Sequence, residues 1–388
     1  MRNDGTYRAL RQFTNQSRWH DAGRAGTKLH SRPQYHGWYV ALWLFAPAAL
    51  FLAVAVVLPS SRHLSEKIET NRKLTIVYDT LNSLRRFKDW NPLVLRDPAM
   101  QLTLSGPDAG VGARLDYVSK DENLGKGSWE ITESVPRKKV SYKIETPERG
   151  TNKRTSYSFE PTGRNNRNVQ ITQTYDIDYG WDLFGRYAGL YVSRNVGDDM
   201  KLGLSRLVNM LASVPNVDYA VAGSKMGTPK VMDRPAEDML FVNAGNVERG
   251  NSQIQGSISA NAEWLKRVMD ANGLEAVGPL RIITTELGRE SYNFDVAQVV
   301  RKKDGSAIDK VTTQGPVQHV KTPAGKVAVA SYTGYMAELE NVRNALRAWT
   351  ITNGYEVTDR AYETYKAGVA NSFTEAGEFD VHWPLKSR

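Results

Sequence analysis

The chain of 388 residues contains no cysteine. Disulfides, thiolate zinc sites and a cysteine nucleophile are therefore excluded. Histidine is scarce as well. His20, His30, His36, His63, His319 and His382 show no metal-ligand spacing, and three of them fall within the first 37 residues. No glycine-rich loop of the form that cradles phosphates is present. Glu286 and Glu290 stand four apart, but nothing places a second acid opposite them. The pattern Gly185-Arg186-Tyr187-Ala188-Gly189 has small residues at membrane-contact spacing, yet in charged surroundings. No metal, cofactor or catalytic constellation is implied, so binding is expected before catalysis.

Positive charge is also lacking where it would matter for nucleic acid. The net charge is +9. Residues 1–37 hold seven basic side chains against Asp4 and Asp21, a net of +5, which leaves +4 for everything after them. That remainder is too small and too evenly mixed to be a nucleic-acid footprint, and no nucleic-acid partner is expected. The 1–37 tail is poor in large aliphatics and reads as a basic disordered segment.

One long apolar run breaks this pattern. Trp38 to Leu58 is 21 residues without a charge. At about 1.5 Å per residue it matches the roughly 30 Å hydrocarbon layer of a bilayer. Trp38, Tyr39 and Trp43 cluster at one end, where amphipathic rings favour the headgroup region. The run is too long for a signal-peptide core, and no small-residue cleavage site follows. A single transmembrane helix over 38–58 is expected, contacting the lipid bilayer. Its more basic flank should stay cytoplasmic, placing the C-terminal domains in the periplasm of a bacterial inner-membrane protein.

Beyond the run the patterning is α+β. Residues 62–214 read as a strand, an amphipathic helix on Leu74, Val77, Tyr78, Leu81 and Leu84, about six alternating strands, and a long helix ending in Met200, Leu204, Leu207, Val208 and Leu211. A low-hydrophobicity linker occupies 215–234. Residues 235–388 contain an internal repeat. Phe241-Val242-Asn243 opens one unit and Val327-Ala328-Val329-Ala330 the other. Each runs into a helix stopped by Asn-Gly, at Asn272-Gly273 and Asn353-Gly354, and ends in Phe-Asp-Val, at Phe294–Val296 and Phe379–Val381. A duplicated strand-helix-strand-strand unit with a cleft between its copies is expected.

Both halves resemble known families. Phe87-Lys88-Asp89-Trp90-Asn91-Pro92, Gly110-Val111-Gly112-Ala113, Gly127-Ser128-Trp129-Glu130-Ile131 and Val135–Val140 make residues 62–214 similar to the START-like polyketide cyclase/dehydrase (SRPBCC) group. That resemblance implies a helix-grip fold with an apolar cavity for lipids, sterols or polyketides. Gly325–Tyr335, Leu346-Arg347-Ala348-Trp349, Tyr362-Glu363-Thr364-Tyr365 and Phe379–Leu385 make the second half similar to GyrI-like effector-binding domains. In that family an acid faces the ligand cleft two residues before the position of His382. Here the residue is Asp380, one methylene shorter than the usual Glu.

The residues carry a compatible reading by themselves. Tyr332, Tyr335, Trp349, Tyr362, Tyr365 and Trp383 crowd the second half, and aromatic faces attract organic cations by about 0.5–2 kcal/mol each. Candidate ligand-binding residues are Asp380, Tyr332, Tyr335, Tyr362, Tyr365 and Trp383, with Trp129 in the first half. Trp349 reads as core, and Asp295, the repeat mate of Asp380, as an edge or turn residue. Trp90, Trp129, Tyr142, Tyr157, Phe159 and Tyr175 line either a cavity or a packed core. The expected function is a membrane-anchored binder of hydrophobic or cationic small molecules. The alternative is a hydrolase or cyclase of small hydrophobic or electrophilic compounds.

Overall fold

The computed structural model describes residues 36–221 and 223–386, with side chains from residue 46 onward. The basic tail therefore lies almost wholly outside the described residues. The chain divides between Val54 and Ala55 into two compact units.

Helix α1, His36–Val57, covers nearly all of the uncharged run, with Pro47 inside it. Leu50, Leu52 and Val54 are exposed. Among the described side chains no helix is long and apolar enough to cross a membrane, and residues 36–45 of α1 lie outside that set. The transmembrane expectation is present as a helix; crossing itself is not shown.

The second unit holds two antiparallel sheets. The first is built from β1 (Ser61–Thr70), β2 (Gln101–Ser105), β3 (Arg114–Val118), β4 (Lys126–Val135), β5 (Lys139–Glu145), β6 (Thr151–Thr162) and β7 (Asn168–Asp178). Their order is β1-β7-β6-β5-β4-β3-β2, a meander whose first strand closes against the last. Between β1 and β2 lie α2 (Leu74–Leu81), α3 (Phe87–Trp90) and α4 (Leu93–Arg96). After β7 come α5 (Leu183–Ala188) and α6 (Val192–Ala212). Strand alternation decides the inner face: Thr155, Tyr157 and Phe159 of β6 and Ile171, Gln173 and Tyr175 of β7 are buried, and their neighbours are wetter. Helix α6 lays Met200, Leu204, Leu207 and Leu211 against that face. Each repeats at three or four residues, the spacing of one helix face. This is the mixed α+β arrangement expected for the first half.

The second sheet contains β8 (Lys230–Arg234), β9 (Glu237–Glu248), β10 (Leu274–Ala276), β11 (Arg281–Leu287), β12 (Ser291–Lys302), β13 (Gln318–Thr322), β14 (Gly325–Thr333), β15 (Tyr362–Tyr365) and β16 (Glu378–Leu385). Helices α7 (Asn251–Ala271) and α8 (Leu339–Thr352) follow β9 and β14, and α9 (Gly368–Asn371) precedes β16. The path β13-β9-β12-β11-β15-β16-β14-β8 reads the same from both ends, with β11 against β15 at the centre. The repeat is therefore a pseudo-twofold. Gly273 and Gly354 have φ of +64° and +75° just beyond α7 and α8, the left-handed stop that Asn-Gly predicts. The leading strands are exchanged: β8 pairs with β14 of the other copy, and β13 with β9. Residues 230–234, read from sequence as the end of the linker, are thus an edge strand. They carry only Val231 and Met232 as apolar residues, too few for a strand pattern.

Helix α8 serves both cores. Leu339, Val342 and Leu346 are buried in the second, whereas Ala345 and Ala348 belong to the cluster of Ile76, Leu81 and Phe87. Arg86 donates to the Ile351 carbonyl at 3.2 Å and Arg85 to the Tyr355 hydroxyl at 3.0 Å. Tyr219, in the connecting segment, donates to Asp79 at 2.8 Å.

Candidate functional site

Between the first sheet and α6 lies a cavity of about 130 Å³. An apolar cavity near 150 Å³ can admit benzene, so this one suits a single ring or the end of a chain. Five aromatic side chains form a closed circuit beside it, and three of them, Trp90, Trp129 and Tyr157, line it. Phe87 meets Trp90 at 5.8 Å, Trp90 meets Tyr157 at 5.9 Å, and Tyr157 meets Tyr142 at 5.8 Å. Tyr142 then meets Trp129 at 5.8 Å, and Trp129 returns to Phe87 at 5.1 Å. All are edge-to-face, the geometry in which the positive ring edge meets the negative face. Helix α3 supplies two of these rings, and β4, β5 and β6 supply one each.

Their polar atoms differ. The Tyr142 hydroxyl donates to the Leu81 carbonyl. Trp90 Nε1 and Tyr157 Oη are buried without a hydrogen-bond partner, and both residues line the cavity. Burial pushes the Tyr157 phenol well up, and the nearby Thr155 hydroxyl only tempers this. That hydroxyl is already engaged, donating to the Thr174 carbonyl at 2.8 Å and accepting from Gln173 at 3.2 Å. A buried donor left unpaired costs about 1–3 kcal/mol. The aromatic part of the pocket wall thus presents two unpartnered donors.

Arg96 and Asp199 form an ion pair where α4 and α6 meet the cavity. Partial burial raises the Asp199 carboxyl, with the Arg96 charge opposing and Glu148 adding to the rise. Gly203 of α6 lets Pro92 approach: a Cβ there would lie 3.1 Å from the proline ring. Of the six aromatics that sequence assigned to cavity or core, Trp90, Trp129, Tyr157 and Tyr175 line the cavity. Phe159 instead packs edge-on against Tyr78 at 6.2 Å. Arg96, Asp199, Thr155 and Gln173 had no sequence signal, because four separate elements bring them together.

The second-half candidates do not meet in one place. Tyr332 and Tyr335 line a cleft of about 540 Å³ with Lys225, Glu338, Asn341 and Glu375. Lys225 and Glu375 pair across it at 2.6 Å. Tyr362 and Asp380 lie on the other sheet face. Tyr362 stacks on His382 and carries the Arg281 guanidinium 4.9 Å from its centroid. Asp380 already has a countercharge, Lys366 at 3.0 Å. Its repeat mate Asp295 is buried, accepting from Asn243 at 2.6 Å and Arg360 at 2.7 Å. Tyr365 is enclosed on the helix side against Phe379, and Trp383 donates to the Arg343 carbonyl at 2.9 Å. Trp349 stacks on Tyr355, 6.2 Å away. A buried pair that sequence missed, Arg343 and Glu363, sits under α8 at 2.9 Å.

Residues 61–212 match the family described as polyketide cyclase / dehydrase and lipid transport. The match spans the first sheet, α6 and the cavity between them. Residues 7–71 match a second family, described as a phosphate ATP-binding cassette transporter. No curated protein matches the chain by sequence. Among solved structures, the chain is similar to the EcmrR C-terminal domain: 17% identical, covering 42% of this chain and 98% of that one, with TM-score 0.35. EcmrR in an EcmrR–DNA complex gives 14%, 55%, 87% and 0.36 for the same quantities. A truncated norcoclaurine synthase from Thalictrum flavum gives 14%, 39%, 94% and 0.31. At TM-scores this low no conclusion is carried from these structures.

Proposed function

We propose that the chain is a membrane-anchored binder of small hydrophobic molecules, held in the cavity between the first sheet and α6. The carrying observation is the pair of buried, unpartnered donors, Trp90 Nε1 and Tyr157 Oη, in the wall of an aromatic cavity. They favour a ligand with an apolar ring or chain end bearing a carbonyl or ether oxygen. Such a group would satisfy donors that otherwise cost stability. The family match of residues 61–212, whose description includes lipid transport, supports this reading.

Anchoring by α1 is part of the proposal. It is supported by the uncharged run and by the match of residues 7–71 to a family described as a transporter. The basic flank favours an inner-membrane protein with its N-terminus cytoplasmic and its C-terminal domains periplasmic. The Tyr332–Tyr335 cleft supports a second, cationic ligand, since Glu338 and Glu375 outnumber Lys225 there.

The test is binding of a fluorescent fatty-acid probe to the full chain and to Val196→Trp, which fills the cavity from α6. Loss of binding in the variant, with its circular dichroism unchanged, is expected. Equal binding by both proteins, or none by the wild type, would sink the cavity reading.

A further inference from the structure

Apolar residues gather on the surface where the first sheet meets the end of α1. Trp181 is 81% exposed, Phe184 64%, Tyr191 63% and Leu190 49%. All lie in one short stretch, from the turn before α5 to the turn before α6. Beyond α1, where Leu50, Leu52, Val54, Val56 and Val57 are exposed, no other run of eleven described residues exposes so many large apolar side chains. Arginines attend two of the rings: Arg186 lies 5.3 Å over Trp181, and Arg149 lies 5.6 Å over Phe184.

The same arginine ties the stretch to the chain's most apolar segment. Arg186 Nη1 donates to the carbonyls of Ala55 at 3.3 Å, Val56 at 2.8 Å and Leu58 at 3.3 Å. Its other nitrogens hold the Gly180 carbonyl at 2.9 and 2.6 Å. The Ala55, Val56 and Leu58 oxygens lie at the C-terminal end of α1, where carbonyls lack intrahelical partners and a cation is favoured. Val56 and Val57, the last two residues of α1, are exposed as well. Only residues 58–60 separate α1 from β1, so the sheet cannot drift far from the helix end.

We infer that Trp181–Tyr191 is a foot that rests in the headgroup layer of the bilayer beside the exit of α1. Aromatic rings paired with arginine suit that layer, whose outer part is charged and whose inner part is apolar. Continuity with α1 selects lipid over a protein partner, because any surface fixed to the end of a membrane span faces lipid first. This inference rests on α1 being the anchor. The foot also sets the cavity-bearing sheet against the membrane, from which a hydrophobic ligand would enter.

Because the chain has no cysteine, single thiols can report on this directly. Trp181→Cys, Phe184→Cys and Tyr191→Cys, each carrying an NBD fluorophore, are placed in the full chain reconstituted in phosphatidylcholine–phosphatidylglycerol vesicles with nitroxide lipids. Leu50→Cys reports on the anchor. Leu104→Cys, on the strand at the far edge of the sheet from β1, reports on solvent. Loss of fluorescence at 181, 184, 191 and 50, but not at 104, is expected. Quenching at 50 alone overturns the foot and leaves the anchor standing. No quenching at 50 overturns the anchor, and the foot with it. Blue-shifted but unquenched labels at 181–191 would show a protein cover instead, which also overturns the inference.

Discussion

The imidazole of His382 lies flat on the Tyr362 ring, with centroids 4.5 Å apart and planes 6° from parallel. Burial lowers its pKa from 6.5 to about 4, and the Arg281 charge adds to the drop, against the opposing pull of Asp380. The folded protein thus keeps His382 neutral where the unfolded chain would protonate it. Its contribution is fully present above pH 6.5 and is lost as pH falls toward 4. The full shift corresponds to roughly 3 kcal/mol, and partial solvent contact trims this to about 2. Urea midpoints measured between pH 4 and 7 should slope less in His382→Phe than in wild type. An unchanged slope would mean that His382 is not the group responsible.

Arg343 and Glu363 lie 2.9 Å apart, yet the Nε–H is not directed at the carboxylate, which has no other hydrogen bond. Burial raises the Glu363 carboxyl, and only the Arg343 charge opposes it. Removing one partner leaves the other charge buried, so Glu363→Gln should cost about 3–5 kcal/mol. Arg343→Met with Glu363→Leu should come close to neutral or better. A double variant that loses the sum of the two single losses would rule out this coupling.

Tyr157→Phe removes an unpaired buried hydroxyl and keeps the ring circuit. The ligand-free protein should gain up to about 1 kcal/mol of stability, read as a higher melting temperature. Preference for acetophenone over ethylbenzene should fall about tenfold, the value of one hydrogen bond. Calorimetric titration of both compounds checks this, and an unaltered preference would remove Tyr157 from ligand recognition.

Ala348 of α8 is fully buried in the core of the first sheet, although its helix belongs to the second. Residues 61–386 should therefore unfold in one transition. Ala348→Leu overpacks this contact, should cost about 1–3 kcal/mol, and should separate the two sheets' melting. Two transitions already present in the wild type would show that the halves are not coupled through α8.

Much of this was legible in the sequence because it is local. Strand alternation located the members of the first sheet, and the 3.6-residue spacing of Leu204, Leu207 and Leu211 located α6. Asn-Gly and Phe-Asp-Val exposed the duplication, since a repeated unit repeats its stops and its strands. The absence of cysteine and the uncharged run 38–58 likewise needed no fold to be read. The tertiary structure alone decided what long-range pairing decides. Exchange of β8 and β13 between the two copies depends on register between residues 77 to 99 apart in the chain. Facing of side chains put Tyr362 and Asp380 on one side of the second sheet, with Tyr365 and Phe379 on the other, because successive residues of a strand point to opposite faces. The same long-range pairing closed the aromatic circuit from Phe87 to Tyr157 and left Trp90 Nε1 and Tyr157 Oη without partners. Hydrogen-bond satisfaction is a property of three-dimensional neighbours, and no spacing along the chain encodes it.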